Sequence, residues 1–231
     1  MKFETFNIFP TTIYVGEMID HEKYKQEFYK LYPKYDYEET SWDNTVSENL
    51  GKPFIHLEDN LDSLFYEISL HAKKYVCDVL EYKDIFDYVI TKSWLSRARR
   101  PDNEIRWHFH STSHISFVYY LSTPDNSHAL EFQNTCTKND LFKAMNVEDE
   151  DTADRNMVKN YNPLNSPAFY MHPIEGSLFL FPSSLSHHTR FMGGDFKGER
   201  LGIVGDITLM LKEDQLNFSM GYIDNKYWKK Y

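Results

Sequence analysis

The spacing of apolar residues changes once along the chain, and the change divides it. Between residues 20 and 80 the apolar positions recur every three or four residues. "DHEKYKQEFYKLYP" predicts an amphipathic helix with Asp20 as its cap and Pro33 beyond its end. "NLDSLFYEISLHAKKYVCDVL" predicts a longer one that buries Leu61, Leu64, Phe65, Ile68, Val76 and Leu80 on a single face. Ahead of both, "TTIYVGE" reads as a short strand. From Tyr88 the period falls to two, and "YVITKSWLSRAR", "WHFHS", "ISFVYYLS", "ALEFQ", "AFYMH", "SLFLFP" and "RLGIVGDITLML" read as strands separated by turn residues. Helices followed by a run of strands predict an α+β, mainly β arrangement in which the helices buttress a sheet or barrel.

A chain of 231 residues can close one sizeable core, and we expect one domain. Its parts would be a helical support over residues 1–87, a β core over 88–212 and a tail over 213–231. Residues 133–167 form a long polar insert between two strands, of the length that active-site lids have. Leu141, Phe142, Met145 and Met157 are the side chains that would close such a lid over a substrate. The 17 Tyr, 17 Phe and 4 Trp suit pleated faces that bury large rings. A formal charge of −10 with only short basic runs repels a phosphate backbone, which argues against general nucleic-acid binding. Cys77 and Cys136 have neither metal-type spacing nor the number for a disulfide framework, and no segment is apolar enough to span a membrane. A soluble, cytoplasmic protein is the expectation.

The candidate chemistry lies in the histidines. Of ten, seven fall between His108 and His188. On a strand, His108 and His110 project to one side from Cα atoms about 6.5–7 Å apart, which lets both imidazoles meet one metal ion if a facing strand supplies a third ligand. His187 or His188 is that candidate, and the pattern of residues does not choose between them. Glu131 is an alternative third ligand, while His114 and His172 stay unassigned. Isolated histidines such as His21, His56, His71 and His128 are ordinary hydrogen-bonded residues in a protein of this kind. Arg200 opens an apolar strand on whose one face residues 200, 202 and 204 lie. An arginine turned inward there needs an anionic partner, because burying it unpaired costs several kcal/mol, and Gly202 leaves room for a carboxylate ligand.

Together these segments resemble the iron(II)- and 2-oxoglutarate-dependent dioxygenases, most closely the oxygenase family with an "HxHxxxxxSGvyYl" signature. That signature reads here as His108-Phe-His110 and then Ser116-Phe-Val-Tyr-Tyr120-Leu, with Phe117 where the family prefers glycine. "LFPSSLSHHT" and "ERLGI" match its distal half, and "FPTTIYV" and "SWLS" extend the match upstream. The resemblance implies a double-stranded β-helix, or jelly roll, holding iron(II) through His108, His110 and His187, with His108 and His187 central to catalysis. It implies that Arg200 pairs with the far carboxylate of the cosubstrate 2-oxoglutarate, and that Tyr120 and Ser116 contact that cosubstrate. His110 takes the place of the carboxylate in the usual "HxD" motif. The substrate, a small molecule or a peptide, and the oligomeric state are not specified. Two rivals are a cupin-type metalloenzyme without 2-oxoglutarate and a non-catalytic jelly-roll binding protein.

Overall fold

Six of the seven period-two segments and "TTIYVGE" become strands, and an unexpected one at His187–Arg190 completes eight β-strands among the described residues of a computed structural model, which describes residues 4–5, 10–36, 46–47, 51–134, 159–215 and 229. In chain order they are β1 (Tyr14–Glu17), β2 (Phe86–Ala98), β3 (Ile115–Ser122), β4 (Ala129–Gln133), β5 (Ala168–Met171), β6 (Ser177–Pro182), β7 (His187–Arg190) and β8 (Arg200–Leu211). They pair antiparallel into a five-stranded sheet of order β1-β6-β3-β8-β2 and a three-stranded sheet of order β5-β4-β7. Helices α1 (His21–Tyr35) and α2 (Asp62–Lys74) contribute the side chains that cover one face of the larger sheet.

Alternation along the central strands sorts their side chains into two cores. Phe117, Tyr119 and Leu121 of β3, with Leu178 and Leu180 of β6 and Leu201, Ile203 and Ile207 of β8, join the cluster that Phe28, Leu64 and Ile68 of the helices complete. Val118 and Tyr120, with Phe179 and Phe181, turn the other way and meet Leu130 and Phe132 of the smaller sheet. Strands covered on both faces read as continuous apolar runs, which is why "ISFVYYL" and "SLFLF" show so little polar alternation. Each fully buried Leu or Phe in these clusters contributes about 1.5–3 kcal/mol relative to exposure.

Three expectations need correction. Helix α1 continues through Pro33 to Tyr35. The turn after Pro33 buries Tyr35, whose hydroxyl donates to Glu58, and these gains offset the ~3 kcal/mol that an interior proline costs a helix. Helix α2 ends at Lys74 and passes into a π turn over Tyr75–Val79, and the changed period leaves Leu80 exposed while Val76 stays buried. "WHFHS" is not a strand; among the described residues it pairs through one isolated bridge, His108 with His187. No described helix is long and apolar enough to cross a membrane.

Candidate metal centre

That isolated bridge builds the site. His108 N donates to His187 O at 3.0 Å and His187 N returns a bond to His108 O at 2.9 Å, so the two backbones are locked side by side. His110 N is held in turn by Ser183 O at 2.9 Å. The imidazole centroids of His108 and His187 are 4.3 Å apart, and His110 lies 5.2 and 5.3 Å from the two. One ring nitrogen from each residue falls within 4.8 Å of the other two, a spacing that one metal ion can satisfy.

The second nitrogen of every ring is engaged. Nδ1 of His108 donates to Arg106 O at 2.8 Å and Nδ1 of His187 to Leu185 O at 2.8 Å. Nδ1 of His110 donates to Asp206 Oδ1 at 2.5 Å. Fixing the proton on Nδ1 presents the Nε2 lone pair as the ligand, and such outer bonds orient ligating histidines. Burial, assisted by the neighbouring His108, pushes His187 down to about 3, so its ring is neutral and ready to ligate across the physiological range. Trp94 packs against the His110 ring at 5.5 Å and Phe181 against His187 at 4.8 Å. Three imidazoles are a donor set that iron(II) accepts.

Asp206 joins the cluster although the histidine pattern does not point to it. It is buried on β8, and its Oδ1 also takes bonds from Ser113 Oγ at 3.1 Å and Ser116 Oγ at 3.2 Å. Burial opposes its charge, yet the bonds from His110, Ser113 and Ser116 prevail and hold the carboxyl below its ordinary range. The signal was available: residue 206 shares the strand face of 200, 202 and 204, and an aspartate inside an apolar run needs a reason.

The rings open into a cavity of about 570 Å³, lined among others by Trp94, Tyr120, Val204, Asp206 and Arg200. Arg200 is only 3% exposed. Its guanidinium donates to His128 O at 3.3 Å and Ser96 Oγ at 3.1 Å, both neutral acceptors, and its Nε is buried with no acceptor. Among the described residues no carboxylate forms an ion pair with it. A buried cation in a cavity wall with an unfilled donor is the arrangement that a carboxylate ligand completes. Burial pushes Tyr120 up to about 12 although Arg200 opposes the shift, so its hydroxyl remains a donor at neutral pH.

Other expected residues lie elsewhere. Ser116 is fully buried behind His110, bonded to that ring and to Ser183 and Asp206, and does not line the cavity. Glu131 pairs with His188 Nε2 at 2.5 Å and lies 3.5 Å from Arg190, outside the three-histidine cluster. The β4–β7 register sets Glu131 opposite His188 and Phe132 opposite His187, so alternation sends the pair to the other face of the sheet. There Trp107 stacks on His188, with centroids 3.9 Å apart. His114 Nδ1 accepts from Leu209 N, and His172 packs edge-on to Tyr170. Of the expected lid, Leu141, Phe142, Met145 and Met157 lie outside the described residues.

Residues 92–206 match the family described as "Putative 2OG-Fe(II) oxygenase". No curated protein matches. Among solved structures, a prolyl-4-hydroxylase from Pseudomonas putida aligns over 86% of this chain and 92% of its own, at 11% identity and a TM-score of 0.50. HygX from Streptomyces hygroscopicus, solved with iron bound, aligns over 86% of this chain and 82% of its own, at 11% identity and a TM-score of 0.50. An oxidoreductase of the 2OG-Fe(II) oxygenase family from Burkholderia pseudomallei aligns over 67% of this chain, at 12% identity and a TM-score of 0.44, and this chain spans 60% of its length. At such identities the likeness is one of fold.

Proposed function

The chain belongs to the iron(II)- and 2-oxoglutarate-dependent oxygenases through residues 92–206, and on that premise we propose that His108, His110 and His187 hold its iron and Arg200 its cosubstrate. One observation carries the reading: three imidazoles with oriented tautomers converge at the cavity that Arg200 enters with an unfilled donor. The two antiparallel sheets are then the halves of a double-stranded β-helix, in one oxygenase domain, with the metal between them near its mouth.

Iron(II), when bound, supplies the activation of dioxygen by which 2-oxoglutarate is decarboxylated to succinate and a substrate is oxidised. The chain's own residues bind and orient. Arg200 takes the far carboxylate of 2-oxoglutarate in a charge-assisted pair, and the Tyr120 phenol stands beside it as a neutral donor. Gly202 pairs with Tyr120 on β3, where a Cβ would lie 3.3 Å from Tyr119 O and 3.8 Å from the Tyr120 ring. Trp94 and Phe181 shield the His110 and His187 rings from water, which strengthens every polar contact made inside. Ser116 acts from behind His110 in place of touching the cosubstrate.

Purified protein assayed for iron content and for succinate release from 2-oxoglutarate tests the reading. Stoichiometric iron with 2-oxoglutarate turnover is the expected result. Iron binding without any 2-oxoglutarate binding would transfer the protein to the cupin-type reading.

A further inference from the structure

We infer that Asp206 supplies, through His110, the negative charge that an all-imidazole ligand set lacks, and thereby sets how tightly the centre holds a divalent cation. The inference rests on the reading of His108, His110 and His187 as metal ligands. Its starting point is an asymmetry among the three. His108 and His187 have their Nδ1 protons held by main-chain carbonyls, Arg106 O and Leu185 O. A neutral carbonyl is therefore enough to fix a tautomer and aim a ring in this site. The third ring of the cluster, His110, is held by a carboxylate.

That carboxylate stands in the middle of β8, only 2% exposed, on a strand whose other face packs Ile203 and Ile207 into the apolar core. Placing an anion at such depth costs several kcal/mol, and orientation alone gives no return that a carbonyl would not. A dication one imidazole away does give a return, because in a poorly solvated site the attraction between the carboxylate and the metal is weakly screened. The surroundings keep the charge in place. Ser116, which is the cross-strand partner of Asp206, and Ser113 both donate to Oδ1, and Ser183 Oγ bonds to both serines. Lys92, the partner of Asp206 on the opposite side in β2, lines the same cavity with its amine 5.1 Å from the Trp94 ring centre. The anion of a carboxylate ligand is thus moved outward by one imidazole, and Asp206 acts as a positioning and charge-supplying residue that does not itself touch the metal.

Two substitutions separate charge from orientation. Asp206→Asn retains an oxygen that accepts the His110 Nδ1 proton, so it keeps the ring's tautomer and aim and removes only the charge. Asp206→Ala removes both. Calorimetric titration with Mn(II) and Co(II) should find that Asp206→Asn binds each about 10–100-fold more weakly than wild type, close to the loss in Asp206→Ala. The Co(II) absorption spectrum of Asp206→Asn should keep the wild-type band positions, and its Fe(III)/Fe(II) midpoint should rise. An Asp206→Asn protein with wild-type affinity and midpoint, beside a weakened Asp206→Ala, would reduce Asp206 to an orienting group and overturn the inference. If Asp206→Asn does not fold, Ser113→Ala decides: losing one donor leaves more of the carboxylate's charge to His110, so metal affinity should rise. Unchanged or weaker binding in Ser113→Ala overturns the inference. A wild-type protein that takes up neither metal overturns the underlying reading of the site instead.

Discussion

Replacing Arg200 by methionine gives the sharpest test of the cosubstrate pocket. The guanidinium is 3% exposed, its two protein contacts are neutral and at 3.1 and 3.3 Å, and its Nε has no acceptor. Losing one member of such a desolvated charged pair costs about 2–5 kcal/mol. At about 1.4 kcal/mol per decade this is a loss of roughly 30- to 4000-fold in affinity for 2-oxoglutarate. Metal affinity should not change, because Arg200 bonds to His128 and Ser96 and to none of the three ring ligands. A second consequence comes from the protein without cosubstrate. Wild type then buries a cation with an unfilled donor, whereas methionine fills the space without charge, so Arg200→Met should be no less stable than wild type. Added 2-oxoglutarate at a hundred times its Kd should stabilise wild type by about 2.7 kcal/mol, and the same concentration should stabilise the variant by less than about 1 kcal/mol. Calorimetry on the Mn(II)-loaded proteins and thermal unfolding with and without 2-oxoglutarate supply both measurements. Equal 2-oxoglutarate affinity in the two proteins would refute the pairing, and loss of metal along with cosubstrate would show that Arg200 supports the fold of the site.

Alanine at His108 or His187 should abolish stoichiometric metal uptake while far-UV circular dichroism stays as in wild type; retained uptake in both variants would remove the site. Glu131→Ala should leave metal uptake intact, since its carboxylate bonds to His188, but cost about 1–3 kcal/mol in urea unfolding because a buried bond loses one partner. The metal-free protein should lose stability in acid through His187. Its folded imidazole refuses a proton down to about 3, while the unfolded chain accepts one from about 6.5, so this contribution is complete above pH 6.5 and declines as pH falls toward 3. Its size is of the order of a few kcal/mol, and a His187→Phe protein should show a flatter profile over that window.

The strands were readable because β-branched and aromatic runs between turn residues have few alternatives, and β2, β3, β4, β6 and β8 begin and end close to where the pattern sets them. The "WHFHS" segment misled for a physical reason. Its alternation is that of a strand, but its backbone has a single bridging partner, so its direction comes from tertiary hydrogen bonds that no local pattern records. His187 and His188 could not be separated by spacing, because neighbouring residues on a strand are equivalent until register is fixed. The pairing of Phe132 with His187 and of Glu131 with His188 is what decides which ring faces inward. Asp206 is hard to read from the sequence because it lies inside an apolar strand, on the same face that Arg200 opens. Pro33 shows the converse, a strong local stop signal overridden by the burial of Tyr35.

The bridge between His108 and His187 also ties the local integrity of the fold to the state of the three-histidine cluster. The two amides that exchange bonds across it belong to the same residues whose rings converge, and the connection is extended on one side by His110 N to Ser183 O and on the other by Thr189 N to Ile105 O, Ile105 N to Thr189 Oγ1 and Phe191 N to Glu104 Oε1. A seam of so few rungs is a place where the native state opens locally, well below the free energy of global unfolding. An ion gripped by both rings would act as one more rung. Backbone amide exchange at His108 and His187 is therefore a gauge of occupancy that requires neither substrate nor turnover: slow when the site is filled, fast when it is stripped, with the amides of β3 and β6 unmoved.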